Sequence, residues 1–343
     1  MTAAAAQNQS VNGPALPAVT IIIEWENAID VEDEWTAKAV IALDRELRAV
    51  AQRLAERPKV SYLFDSDVVE AGAVERVIDS VAPGLRETAD IEILATPGLS
   101  YYQLKHFGIS RAVTDISVLL DSDAAPQPGW LENLLKPFSD ENVMVVGGFT
   151  ILAYQDLLSR TMALSWFFDL AHERAATLKR QTIHVNNCAM RTDFYRAHPF
   201  PDLPMFKKQC EIWRKRLTAD GHRIVRTADA VTIHAPHPGY RFLAWRGWSS
   251  GLDGDVLNYH LATRGRVGRL GLAGRHLVKK VARSWRNIVT KGSAVGLPWW
   301  QRPPAMAIAL AYYLITFGGQ VTSAVTRRFK PLPPPLGEAA IRA

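Results

Sequence analysis

Short β-branched runs alternate with longer stretches of helical periodicity over the first third of the chain. Ala18-Val-Thr-Ile-Ile-Ile23 has the composition of a buried strand. Apolar positions then recur at helical spacing over 33–56 (Ala37, Val40, Leu43, Leu47, Val50, Leu54). Lys59-Val-Ser-Tyr-Leu-Phe64 predicts the next strand, and it stops at Asp65-Ser-Asp67. A helix from about 71 to 81, a strand over Ile91–Ala95 and a Pro97-Gly98 turn follow. A helix around 101–113 leads into the buried run Ile116-Ser-Val-Leu-Leu120. This alternation predicts an α/β fold with a mostly parallel central sheet and helices on both faces. Residues 1–16 are rich in Ala, Gln, Asn and Pro and lack the pattern of a signal peptide, so they are expected to be a disordered tail.

The last third has a different texture. Residues 262–291 interleave nine Lys and Arg with Leu270, Leu272, Leu277, Val278, Val281, Trp285 and Ile288, predicting one or two amphipathic basic helices. Pro298-Trp-Trp-Gln-Arg-Pro-Pro304 is aromatic and stiff, and 305–325 carries no charge. That run is long enough to span a bilayer, which takes about 20 apolar residues. Gly318, Gly319, Gln320, Thr322 and Ser323 weaken its second half, leaving open a spanning helix, an interfacial one or one packed on the protein. The expected organisation is a tail (1–16), a main domain (17–245) and a basic, partly apolar helical region (246–343).

Charge sharpens that division. The net charge is +6, yet residues 256–337 hold 13 Lys and Arg and no Asp or Glu, so the first 255 residues are net acidic at −7. Such a block suits a polyanion, either a nucleic acid or an anionic membrane. No nucleic-acid module is recognisable, and the apolar neighbour favours the membrane, so no specific nucleic-acid partner is expected. The expectation is peripheral or single-pass attachment at the cytoplasmic face. Two cysteines, Cys188 and Cys210, exclude a disulfide scaffold and are expected to pack.

Ligands of open α/β sheets bind beyond the strands' carboxyl ends. Two strand ends here carry acidic pairs, Asp65/Asp67 and Asp121/Asp123. In Val118-Leu-Leu-Asp121-Ser-Asp123-Ala-Ala-Pro126-Gln-Pro128-Gly-Trp130-Leu131 a strand delivers two carboxylates into a turn that the prolines keep from continuing. Carboxylates this close favour a neutralising cation, and Mg2+ or Mn2+ with a substrate diphosphate suits the oxygen ligands.

That segment resembles the Asp-X-Asp segment of the family-2 glycosyltransferases, which have the glycosyltransferase-A fold. The resemblance extends from about Val19 to His237. It includes Tyr101-Tyr-Gln-Leu-Lys105-His-Phe-Gly108, Val146-Gly-Gly-Phe149 and Val185-Asn-Asn187-Cys-Ala-Met-Arg191. Phe200-Pro-Asp202, Arg216-Leu217-x-x-x-Gly221-x-Arg223 and Val231-Thr-Ile-His234 continue it in the same order. It implies transfer of a sugar, with inversion, from a nucleoside-diphosphate sugar to an acceptor glycan or lipid-linked acceptor, helped by a divalent cation. Asp65 would hold the nucleobase. Asp121 and Asp123 would hold ribose and metal, and His234 would reach the metal or diphosphate. Lys105 and Asn187 would belong to the donor site and the acceptor-side segment. Trp245-Arg246-Gly247-Trp248 resembles a segment lining the diphosphate in membrane-bound members.

Two departures stand out. Where the family carries Glu-Asp seven residues before its Arg-Leu pair, with Asp as the base, this chain has Gln209-Cys210. Glu211 is the nearest carboxylate, but one residue rotates a helix by about 100°. Glu211 acts through a local shift, another carboxylate acts, or the chain is a weak or inactive sugar-nucleotide-binding homologue. A polyanion-binding protein is the remaining alternative. The first strand also ends on Glu24-Trp25-Glu26-Asn27, with Trp25 either stacking on a base or packing.

Overall fold

β-branching and burial coincide in β1 (Val19–Glu24), whose six residues are all buried. The structure, a computed structural model, describes residues 15–174, 178, 182–236, 239–262 and 265–326. After β1 come α1 (Asp33–Val50), β2 (Lys59–Phe64), α2 (Ala73–Val81), α3 (Leu85–Thr88), β3 (Asp90–Ala95), α4 (Tyr101–Arg111) and β4 (Ile116–Asp121). Then follow β5 (Ala124–Pro126), α5 (Trp130–Leu135), β6 (Val143–Leu152), α6 (Leu157–Ser165), β7 (Asn187–Arg191), α7 (Thr192–Ala197), α8 (Gln209–Ala219) and β8 (Arg223–His234). Three long helices end the described chain: α9 (Gly239–Ala262), α10 (Arg266–Lys291) and α11 (Arg302–Thr326).

The eight strands form one sheet in the order β3-β2-β1-β4-β7-β6-β8-β5. β1 to β4 are parallel, and β6 pairs in parallel with β8. β7 is antiparallel to both β4 and β6, and β5 to β8. The expected α/β architecture with a mostly parallel sheet holds. One buried layer packs α1, α2 and α5 on one face, including Leu43, Ile78, Trp130 and Leu131. The other face packs α4, α7 and α8 through Leu104, Tyr195 and Trp213. Gly108 lets α4 lie close to the sheet, since a Cβ there would sit 2.6 Å from side-chain atoms of Ile22 and Leu63.

Element ends differ from the periodicity in two places. The helix expected over 33–56 stops at Val50, because the chain tightens into a 3-10 turn and Leu54 bridges back to Leu16. Leu16 is therefore buried and part of the fold, a correction to the tail expected over 1–16, of which 1–14 lie outside the described residues.

The C-terminal helices form a third packed layer. α9 runs through residues 245 and 246, the expected junction. Tyr312 and Tyr313 of α11 and Ile288 of α10 pack against Leu158, Met162 and Leu164 of α6. α9 and α11 meet backbone to backbone: a Cβ at Gly251 would lie 2.2 Å from the Thr316 carbonyl oxygen. Within this layer Arg269 Nη1 (3.0 Å) and Ser323 Oγ (2.9 Å) both donate to Asp255 Oδ2. Trp299–Thr326 is, among the described residues, the one helix long and apolar enough to cross a membrane.

Candidate active site

Parallel pairing places Glu24, at the end of β1, beside Asp121, at the end of β4. Both are buried. Asn27 Nδ2 links them, donating to Glu24 Oε1 (2.6 Å) and Asp121 Oδ2 (3.0 Å). Tyr101 and Lys105, one turn apart on α4, reach Asp121 from below. The Tyr101 hydroxyl donates to Asp121 Oδ1 at 2.9 Å, and Lys105 Nζ donates to the same atom at 2.7 Å. Lys207 Nζ sits 3.0 Å from the Tyr101 ring centroid. Burial alone would raise Asp121, but Lys105 and Lys207 outweigh it and hold the carboxyl below its usual value. Burial, and then the Asp121 charge, push Glu24 well above the carboxylate range. Asp121 thus carries the pair's charge, and most of its lone pairs are already used.

Asp123 is differently placed. It is buried in the turn before β5, and its Oδ1 has no hydrogen-bond partner. The pairing of β5 with β8 sets Ala124 opposite His234. His234 Nε2 then lies 3.5 Å from Asp123 Oδ2. His234 Nδ1 faces the Ala235 carbonyl at 2.9 Å, so donation there leaves the Nε2 lone pair toward Asp123. Burial raises the Asp123 carboxyl to about 6, with His234 opposing and Asp121 adding to the rise. One ligand atom each from Asp121, Asp123 and His234 falls within 4.8 Å of the others. An unpartnered buried carboxylate oxygen beside an imidazole lone pair fits a small divalent cation.

These groups floor a cavity of about 620 Å3. Asp121, Asp123, His234, Arg246 and Glu211, all expected at the site, line it. Arg246 is buried over the Trp166 ring, 5.7 Å from its centroid, and donates to Ser250 Oγ. α8 begins at Gln209 after Lys208, the one non-glycine residue with positive φ (69°) among those described. With the helix started there, Cys210 and Glu211 both face the cavity, while Gln209 turns inward to the Leu203 and Met205 carbonyls.

Three expected contacts lie elsewhere. Lys105 is 0% exposed and spent on Asp121, so it supports the acidic pair from behind instead of meeting a donor. Asn187 is also 0% exposed: its side chain accepts from Trp130 Nε1 (2.8 Å) and donates to the Ala230 carbonyl (3.0 Å). Its neighbour Asn186 lines the cavity. Asp65 Oδ1 accepts from the backbone N–H groups of Asp67 and Gly98, both at 2.9 Å, tying the ends of β2 and β3 together outside the cavity lining. Trp25 packs edge-on against Tyr62 in the core, so of its two readings packing is the observed one. His184 lines the cavity beside Phe168, and burial lowers it to about 3. Sequence reasoning missed Asn27 and Lys207 as site residues. It also missed His276, Lys280 and Arg283 of α10, which form part of the cavity wall.

The model of the glycosyl transferase family 2 matches residues 75–198. A pre-mycofactocin glycosyltransferase, found in two strains of Mycobacterium tuberculosis (CDC 1551 / Oshkosh and ATCC 25618 / H37Rv), is 32% identical over 97 residues, 27% of this chain. The match spans 21% of the length of those relatives. The solved structure of the mannosyltransferase PcManGT from Pyrobaculum calidifontis, in complex with GDP-Man and Mn2+, superposes with a TM-score of 0.54. It covers 92% of this chain and 90% of that one at 16% identity, a likeness of fold. Family match and fold agree with the acidic edge of the sheet: residues 75–198 match the family-2 glycosyltransferases, and the chain carries the glycosyltransferase-A fold.

Proposed function

We propose that the chain transfers a sugar from a nucleoside-diphosphate sugar to an acceptor hydroxyl, with inversion, using Mg2+ or Mn2+ held by Asp123 and His234 beside Asp121. The observation that carries this reading is the buried Asp123 carboxylate lining the cavity, with Oδ1 unpartnered and Oδ2 3.5 Å from His234 Nε2. The solved mannosyltransferase with GDP-Man and Mn2+ supports it through the shared fold. The bound cation would stabilise negative charge on the departing diphosphate.

The chain's own groups supply the rest. Lys207 and Arg246 line the same cavity and offer cationic contacts to the diphosphate. Asp121 stays ionised through Lys105 and Lys207 and can accept a sugar or ribose hydroxyl on its remaining lone pair. Glu211, on the cavity wall, accepts the acceptor's proton as its oxygen bonds to the anomeric carbon. The bond from that carbon to the diphosphate breaks, and its electron pair leaves with the nucleotide. This role for Glu211 answers the missing Glu-Asp pair and opposes the inactive-homologue reading.

Thermal unfolding with GDP- and UDP-sugars, with and without Mn2+, tests the proposal. A rise in Tm that needs both nucleotide sugar and Mn2+ is expected. No rise with any combination would overturn it, and a rise without sugar release or transfer would favour the inactive homologue.

We further propose that the C-terminal layer attaches peripherally to the anionic cytoplasmic leaflet and does not span it. α11 packs on α9 and α10, which carry Asp253, Asp255 and the basic series; spanning would strip it from them and uncover Tyr312 and Tyr313. On α10 the exposed Val267, Val278, Trp285 and Val289 fall within about 40° of one another at 100° per residue. The exposed Arg275, Lys279 and Arg286 form the adjoining stripe. Trp299 and Trp300, 77% and 60% exposed, continue this surface past the helix end. Apolar and basic stripes side by side suit a helix lying in an anionic interface. The full chain is expected to float with phosphatidylserine-containing vesicles and not with phosphatidylcholine alone. Val278→Glu/Trp285→Glu should weaken that association about tenfold or more. Flotation unchanged by this pair would exclude the face.

A further inference from the structure

The cavity has a second pole, away from Asp123. Lys208 and Arg214, from the start of α8, and His276 and Lys280, one turn apart on α10, line it together with Glu211. They lie within electrostatic reach of one another: half-burial and then Lys280 and Lys208 lower His276, and Lys280, exposed at the cavity rim, is lowered to about 8 by desolvation, Arg283 and Lys208. Lys208 Nζ donates to the Ser250 carbonyl at 2.8 Å. The Arg214 and Lys280 side chains have no hydrogen bond or ion pair among the described residues, and Arg283 Nε is buried without a partner.

The charges around this pole do not balance. Lys208, Arg214, Lys280 and Arg283 are four cations lining this part of the cavity. Against them stand Glu211, which is 3.5 Å from Lys215, and the buried Asp253, which accepts from the Phe206 and Lys207 N–H groups. Like charges gathered in a concave, partly dry site repel unless an anion joins them. The backbone is also strained to this end. Lys208 sits at φ 69° and ψ 2°, a conformation that side-chain-bearing residues rarely adopt. That bend sends Lys207 toward Asp121 and Lys208 to the opposite pole. The donor's diphosphate belongs with Asp123, Lys207 and Arg246, and Arg214, His276 and Lys280 have no part in holding it.

We propose that Lys208, Arg214, His276 and Lys280 form a subsite for a phosphate group carried by the acceptor. The inference rests on the glycosyltransferase reading and deepens it, since it names the acceptor's chemistry. An arginine fork with two ammonium groups and an imidazole suits a tetrahedral dianion. Glu211, in the same cluster, is placed to meet a hydroxyl on the molecule whose phosphate the cations hold.

The test is equilibrium binding of glycerol phosphate to the full chain, followed by tryptophan fluorescence, since Trp166 and Trp245 line the cavity. Saturable binding is expected. Arg214→Ala/Lys280→Ala should weaken it at least about tenfold, and the milder Lys280→Gln should weaken it in the same direction. Arg275→Ala/Lys279→Ala removes equal charge from the outward face of α10 and should change it less than about twofold. Asp123→Ala should leave it intact. No saturable binding, equal loss in both double variants, or loss in Asp123→Ala would each overturn the subsite. Dodecyl phosphate in a parallel titration separates the sources. Tighter binding than glycerol phosphate assigns a lipid-borne phosphate, and equal binding a soluble one. The donor reading fails independently, by absence of the Mn2+-dependent Tm rise with nucleotide sugars. Retention of that rise in the double variant shows that it is folded.

Discussion

Asp123→Ala should lower sugar transfer by about 10^3-fold or more, because it removes the carboxylate proposed to hold the cation, whose Oδ1 has no protein partner. The isosteric Asp123→Asn should do nearly as much to activity and the opposite to stability. In metal-free protein the folded-state pKa of Asp123 is about 6, against an ordinary 3.8. A carboxyl raised in this way contributes its stability below the lower value and loses it as pH rises through the higher. At pH 7.5 the wild type therefore carries an uncompensated burial penalty of up to about 3 kcal/mol, from about 1.4 kcal/mol per unit. Asparagine removes it. Urea unfolding in EDTA should show the variant more stable at pH 7.5, with the two proteins converging near pH 4. Adding Mn2+ should restore the wild type's advantage, since only it gains a ligand oxygen. A variant no more stable than the wild type at pH 7.5 would show that Asp123 is not a strained, waiting ligand.

How far the sequence revealed this site depends on whether a residue's direction follows from local pattern. The carboxylates of Asp121 and Asp123 were legible, because a buried strand running into a proline-bounded turn fixes where they emerge. His234 came from the family resemblance, and the antiparallel pairing of β5 and β8 that brings it to Asp123 has no local signature. Lys105 and Asn187 lie in the resembling segments, but a motif does not say which way a side chain points. The spacing of Tyr101 and Lys105 did contain a clue: four residues apart on a helix they share one face, and both meet Asp121. Asn27 and Lys207 reach the site from irregular segments, where no periodicity predicts direction. The basic stretch 262–291 predicts one or two amphipathic basic helices but not which of its cations face inward. At 100° per residue it divides, with His276, Lys280 and Arg283 toward the cavity and Arg275, Lys279 and Arg286 outward. Composition could not separate them, because the division is set by Ala273, Ser284 and Ile288, which α10 buries.

Lys105→Met should be the most destabilising single change at the sheet's carboxyl edge. Lys105 is fully buried, its ammonium lies 2.7 Å from Asp121 Oδ1, and it also sits 4.6 Å from the Tyr101 ring centroid. Methionine fills a similar volume, so packing loss is small, but Asp121 is left buried beside Glu24 without its main counter-charge. Breaking a buried pair in this way costs about 3–5 kcal/mol, enough to threaten a typical domain. The penalty has a pH signature. Without Lys105 the folded-state pKa of Asp121 rises from its present depressed position, so the variant should regain stability as pH falls and lose it as pH rises. Lys105→Met/Asp121→Asn removes both charges and should recover most of the loss, as measured by urea unfolding at pH 7.5. Activity should stay absent in the double variant, because the neutral amide no longer supplies the charge beside Asp123. A Lys105→Met protein as stable as the wild type would mean that Glu24 and Asp121 share a proton without help, and that the lysine does not set which of them is charged.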